Sequence, residues 1–118
     1  MKWVVRILQG LLAAAFLMFG AMKLGGGQAQ VFVEQYGYPA AFSYVVGAVE
    51  VLGALGLLAG FWKPRLAAIA AGVLALDMAG AVFTHLRAGQ GVGAAMVPAI
   101  LLVLAALVLQ GRRAGAAE

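Results

Sequence analysis

The sequence predicts an all-α protein, an integral membrane four-helix bundle with both termini cytoplasmic, and three observations carry that prediction. The 118 residues are 65% hydrophobic and 10% charged, where soluble domains run about 45–50% apolar and about 25% charged. A soluble domain of this size could not hide so much apolar surface. The apolar residues also fall into four runs, each close to the roughly 20 residues that carry a helix across about 30 Å of hydrocarbon. Finally, the basic residues sit at the ends of those runs, where lipid headgroups would meet them.

The first span is expected over 3–22. It opens with Lys2 and Arg6 and so also resembles a signal peptide, but it runs on through Phe16–Met22 to Lys23, past the length of a cleaved core. Arg6, Gln9, Ala13, Phe16, Gly20 and Lys23 recur at steps of three and four. They form one stripe of the helix that gathers its polar residues, and such a stripe belongs against the bundle interior. Alternatively, Arg6 and Lys23 only snorkel to the two interfaces. A long connection follows, opening with Gly25-Gly26-Gly27 and carrying Phe32, Tyr36 and Tyr38. Its composition predicts a short interfacial helix over about 29–37, closed by Gly37, with the rings forming an aromatic belt.

The second and third spans are expected over 42–62 and 66–86. The turn Trp62-Lys63-Pro64-Arg65 between them is too short for anything but antiparallel neighbours, with Pro64 ending one helix. Gly53, Gly56 and Gly60 make a small-residue stripe on the second span, with Ala70, Ala71, Gly72 and Gly80 as its counterpart on the third. The fourth span is expected over 92–110. If Pro98 opened it, only about 20 Å of helix would remain before Gly111, so the proline is placed inside, kinking the outer end. Beyond Pro98 that span is nearly all Leu, Val and Ala, the pattern of the most lipid-exposed helix or of a self-association face. The whole chain, 1–118, reads as one transmembrane domain.

Six of the eight Lys and Arg (Lys2, Arg6, Lys63, Arg65, Arg112 and Arg113) fall on one side of this arrangement, and only Lys23 and Arg87 on the other. By the positive-inside rule the richer side is cytoplasmic. The net charge of +4 therefore reads as topology, not as a nucleic-acid surface, and no nucleic-acid-binding signature is present. Cysteine is absent, which excludes disulfides, thiol catalysis and iron–sulfur ligation by this chain. With one histidine and no cysteine, a closed zinc site is not expected either.

Glu50 and Asp77 are the carboxylates that lie inside apolar runs. A charge at the bilayer centre costs about 2.5–3.5 kcal/mol on insertion scales, so it is kept for a reason. Both acids fall at similar depth, roughly 12–14 Å below the outer surface at 1.5 Å per residue. On adjacent antiparallel helices they could share a proton, or one could pair with a basic group while the other stays protonated. Thr84 shares a helical face with Asp77, and His85 is offset from it. Lys23, Glu50, Asp77, Thr84 and His85 can thus define a pocket opening away from the cytoplasm, with Gln9 a further candidate on the polar stripe. The competing view is structural: the acids are interhelical glue, bonded to Gln9, Thr84 or Tyr44, and bind nothing.

Taken together, Arg6, Phe19-Gly20-Ala21-Met22-Lys23-Leu24, Gly37-Tyr38-Pro39, the run from Glu50 to Gly60, Met78-Ala79-Gly80-Ala81 and His85-Leu86 resemble the DoxX and DoxX-like family of small four-helix membrane proteins. The resemblance covers nearly the whole chain. It implies a bacterial inner-membrane protein, since family members reside there. Some are associated with membrane oxidoreductases, including a thiosulfate:quinone oxidoreductase system, and related animal proteins act as chaperones for membrane receptors. Lys23, Glu50 and His85 match the family's polar positions, whereas Asp77 has no assigned place among them. Thiol exchange, known among some relatives, is out of reach without cysteine, and no flavin, haem or dinucleotide fingerprint marks a complete redox enzyme. The expectation is an accessory subunit with no intrinsic cofactor that binds an apolar ligand with a polar head, such as a quinone. Its partners would be the bilayer, a membrane oxidoreductase or further copies of itself. The alternative is a structural or assembly partner without a ligand. A transporter has least support, because four short spans lack paired broken helices.

Overall fold

The computed structural model describes residues 2–116. Its elements are α1 (Lys2–Leu24), the single turn α2 (Ala29–Val31), α3 (Ala40–Ala59), α4 (Pro64–Arg87) and α5 (Gly91–Ala116). α2 runs directly into a π-helical turn, Phe32–Tyr36. Four helices are long and apolar enough to cross a membrane: Trp3–Leu24, Ala40–Ala59, Pro64–Arg87 and Gly91–Arg113. These are the four expected spans, with ends displaced by a few residues for local reasons. Pro39, extended at ψ 145°, lets α3 begin at Ala40. Pro64 opens α4 instead of ending α3, because its missing N–H is no loss at the first helical position. Trp62 therefore lies outside both helices, in an exposed turn. Pro98 sits inside α5, as expected, where it cannot donate to the carbonyl four residues earlier.

The helices run up and down in cyclic order. α1 packs on α3, α3 on α4, α4 on α5, and α5 closes back on α1. The core is built from Leu12, Ala13 and Phe16 of α1, Ala54 and Leu57 of α3, Ala70, Ala71, Leu74 and Met78 of α4, and Ala105 and Val108 of α5. Much of the large apolar surface points outward instead, including Leu11, Met18, Leu52, Ile69, Leu76, Phe83 and Val103. So much bulky apolar surface outside is what lipid tolerates, since tails are as apolar as leucine, and small residues such as Ala13, Ala54, Ala70 and Ala71 bring the helices close inside. α5 has the smallest buried share of the four spans, 22% of its most apolar window, in keeping with its sequence.

α3 and α4 form a wedge. Next to their connecting turn, Gly60 lies directly against Ala67. One turn further on, a methyl on Gly56 would come within 2.9 Å of the Ala70 methyl, and a methyl on Gly53 within 2.7 Å of the Leu74 side chain. Side chains grow along the seam from alanine to leucine, and past Leu74 the two helices part around a cavity. Gly80, expected in this seam, instead faces open space, with nothing within 4 Å of where its side chain would be.

Candidate functional site

The cavity occupies the half of the bundle beside the α1–α3 connection and has a volume of about 540 Å³. That lies within the roughly 300–1,000 Å³ range of small-molecule sites. Its polar end is made by Lys23, Glu50 and Asp77. α3 begins at Ala40 and α4 ends at Arg87, so Glu50 and Asp77 each lie about ten residues, roughly 15 Å, from the helix end. The equal depth read from the sequence is borne out.

Lys23 Nζ pairs with Glu50 Oε1 at 2.8 Å, and Glu50 is only 1% exposed. Two glycines make this pairing reachable. A side chain on Gly20 would meet the Gly47 carbonyl at 2.7 Å, and one on Gly47 would meet Lys23 Cβ at 2.7 Å. α1 and α3 therefore touch backbone to backbone, and each charged residue follows its glycine by three positions. Side chains on a helix lean toward its N-terminus, so Lys23 leans into the bundle and reaches Glu50. It does not snorkel outward. Arg6, at the other end of the stripe, is exposed, whereas Gln9, Ala13, Phe16 and Gly20 between them are buried as expected.

Asp77 lines the same end of the cavity as Glu50. Asp77 Oδ2 is sealed from solvent and has no N–H or O–H partner. Lys23, Glu50 and Asp77 therefore stand together at one end of the cavity, with the ion pair on one side and the unpartnered Asp77 carboxyl beside it.

The cavity is walled by Phe19, Val46, Pro98 and Leu101, with the exposed Phe42, Leu76, Phe83 and Val97 at its open margin. Its cover is the segment from Gln28 to Tyr38, where Phe32, Tyr36 and Tyr38 meet one another and Phe42 of α3 edge-on or tilted, with ring centroids 5.2–6.2 Å apart. The expected short helix ending at Gly37 is present, with Gly37 at φ 73° in the left-handed conformation that glycine adopts without penalty. Its rings, however, serve mainly as a lid instead of a lipid-facing belt, and Phe32 is buried. Polar bonds fasten this lid to the end of α4. Tyr38 Oη and Thr84 Oγ1 lie 2.8 Å apart, and Arg87 donates to the Tyr36 carbonyl at 2.7 Å while covering the Tyr38 ring. The Thr84 contact and the nearby guanidinium hold the Tyr38 phenol below its ordinary pKa, whereas burial raises that of Tyr36.

Five of the six expected site residues therefore meet in one cavity: Lys23, Glu50, Asp77, Thr84 and His85. His85 sits at the rim, its Nδ1 hydrogen-bonded to Gln90 Oε1 and its ring edge-on to Tyr36. Gln90 Nε2 in turn donates to Gln35 Oε1 at 2.7 Å, tying rim to lid. The structure does not bring Gln9 to the site. Its Nε2 donates to the Leu57 carbonyl at 2.6 Å in the opposite half of the bundle, outside the cavity. There Arg112, which sequence reasoning treated only as a topology signal, is buried and donates to the Gly60 carbonyl at 2.7 Å. The clue was available, since Ala105, Val108 and Arg112 follow one another at helical spacing on the inner face of α5. Gln28 and Phe42 were also missed, and nothing in their spacing singles them out.

Among the described residues no cluster of three or more His, Asp or Glu could hold a metal ion. Residues 7–108 match the profile of the DoxX-like family. An uncharacterized protein of Bacillus subtilis (strain 168), YdgD, is 40% identical over 103 residues, covering 85% of this chain and 90% of its own length. No solved structure matches the chain significantly.

Proposed function

Because this chain belongs to the DoxX-like family of multi-pass membrane proteins, we propose that it is an inner-membrane accessory protein holding a quinone-like amphiphile in its bundle cavity. Both termini face the cytoplasm in this reading, on the side of Lys63, Arg65, Arg112 and Arg113. The observation that carries it is an aromatic-walled space of about 540 Å³ ending on Lys23, Glu50 and Asp77. A flat ring with an apolar tail suits such walls, and the polar end supplies partners for the ring's oxygens. Quinone reduction takes up two electrons and two protons. The electrons would come from a partner oxidoreductase, and the acid pair and His85 would carry the protons. Lys23 holds the charge of Glu50 in place.

A purely structural role accounts well for Lys23 and Glu50, which satisfy each other, and for Gln9 and Arg112, which cap α3 carbonyls. It leaves the cavity and its lid without a purpose, and for that reason we favour the ligand. Native mass spectrometry of gently extracted protein tests the choice. A stoichiometric small molecule, lost in Glu50→Gln and His85→Ala, is the expected result. Wild-type protein carrying only exchangeable phospholipid would favour the structural role.

A further inference from the structure

Nothing so far fixes what kind of head group the cavity accepts, and the inventory of donors and acceptors at its polar end does. Lys23 Nζ faces Glu50 Oε1 at 2.8 Å and the Phe19 ring at 5.9 Å. Glu50 is buried behind this pair, so its carboxyl is not the group a ligand meets first. Asp77 is that group: it lines the cavity and is partly exposed, yet no donor reaches it. Its sealed oxygen, Oδ2, has no hydrogen-bond partner. The oxygen left for the cavity is Oδ1.

Oδ1 accepts when Asp77 is ionised, because both oxygens are then acceptors. It also accepts when Asp77 is neutral with its proton on the sealed Oδ2, because Oδ1 is then the carbonyl oxygen of the acid. An acceptor in an apolar, low-dielectric site is costly to leave unmet and costly to face with another acceptor.

We propose that Asp77 Oδ1, at the polar end of the cavity, selects ring-headed ligands that donate a hydrogen bond, namely phenols, over ligands whose head groups only accept. The proposal rests on the reading that the cavity holds such an amphiphile, and it adds the chemical class that site prefers. Applied to a quinone couple, the hydroxyl-bearing reduced form is the one held at this end. Beyond Lys23, which Glu50 engages, the donors that a carbonyl oxygen needs include the Tyr36 hydroxyl and the Gln28 amide of the lid.

A matched pair of probes tests this: 4-nonylphenol and its methyl ether, 4-nonylanisole, which differ in the single donated hydrogen. Full-length protein in nanodiscs is titrated with each, and retention is referred to protein-free nanodiscs so that bilayer partition cancels. The phenol is expected to bind roughly tenfold or more tightly than the ether, as one satisfied acceptor in a desolvated site warrants. Asp77→Asn keeps a carbonyl oxygen that accepts, so the preference should survive. Asp77→Leu should reduce phenol binding to the level of the ether. Equal binding of phenol and ether to wild type overturns the proposal while leaving a ligand cavity in place. Failure of both probes, together with protein free of any ring compound on extraction, overturns the proposal and the ligand reading beneath it. The wild-type comparison stands alone if Asp77→Leu does not fold.

Discussion

The two halves of the bundle solve the problem of packing in lipid in opposite ways. In the half near the chain ends, α3 and α4 close on Gly60 and Ala67, and the buried polar groups there, Gln9 and Arg112, cap main-chain carbonyls of α3. In the half near the lid, the same helices part, and the Lys23–Glu50 pair joins α1 to α3 at the edge of a cavity that Asp77 also lines. The first half directs its polar side chains to main-chain carbonyls; the second pairs side chain with side chain beside an open space. What differs is the size of the residues along one seam. Glycine and alanine allow contact, and leucine starts the divergence that leaves room for Glu50, Asp77 and the cavity beside them.

The largest expected effect separates these halves by charge. Lys23→Met leaves Glu50 buried and unpaired, and breaking a buried ion pair from one side costs about 3–5 kcal/mol. Thermal unfolding should shift accordingly, and adding Glu50→Gln to Lys23→Met should recover most of the loss, because no lone charge then remains. If the double variant is as unstable as the single one, the pair is not the element that organises the cavity half.

Next in size is the crossing that presents the pair. Gly20→Ala places a methyl 2.7 Å from the Gly47 carbonyl and 2.6 Å from the Val51 side chain. Overpacking of this kind costs about 1–3 kcal/mol, and here it also draws Lys23 away from Glu50, so retention of ligand should fall with stability. Gly80→Ala is the matching control, with open space around it. It should be neutral or slightly stabilising, given that alanine exceeds glycine in helix propensity by about 0.8–1.0 kcal/mol. A Gly20→Ala variant with wild-type melting and wild-type ligand content would show that the backbone contact is not needed.

Gln9 and Asp77 sharpen the contrast by exchanging readouts. Gln9→Leu removes an interhelical hydrogen bond of the kind that averages about 0.6 kcal/mol in membrane proteins, so melting should drop slightly with ligand retention unchanged. Asp77→Leu should do the reverse, keeping most of the stability and losing the ligand. Loss of ligand in Gln9→Leu would mean that the two halves are coupled.

How much of this was legible beforehand follows the same division. Four spans, their antiparallel order and the inward polar stripe of α1 could be read because lipid imposes length and periodicity on every residue of a helix. The meeting of Glu50 with Asp77 could be read because depth is arithmetic in a spanning helix. Gln9 was assigned to the wrong place because shared polarity on a stripe does not give height, and Gln9 lies more than three turns of α1 away from Lys23. The lid was read as a short helix but not as a cover. Whether Tyr36 and Tyr38 turn toward lipid or toward the bundle depends on Thr84 and Arg87, far along the chain, and local sequence holds no record of that pairing. The wedge was missed for a related reason: Gly80 has the composition of a seam residue, and only the growing side chains before it reveal that the seam has ended.

The smallest expected effect concerns that cover. Tyr38→Phe removes the hydroxyl that meets Thr84 at 2.8 Å but keeps the ring against Phe32 and Phe42. One side-chain hydrogen bond near the membrane surface contributes about 0.5–1.5 kcal/mol, and Arg87 and Gln90 still hold the lid at two other points. Melting should therefore hardly move, while exchange of a bound ring compound speeds up a few-fold, because opening the lid requires one bond fewer. Thr84→Val, which removes the other hydroxyl, should give the same acceleration, and the double variant should add little, since both changes break one contact. The measurement is the dissociation rate of 4-nonylphenol from nanodisc-held protein. Equal rates in all four proteins would mean that ligands pass between the helices from the bilayer and that the lid is only a roof.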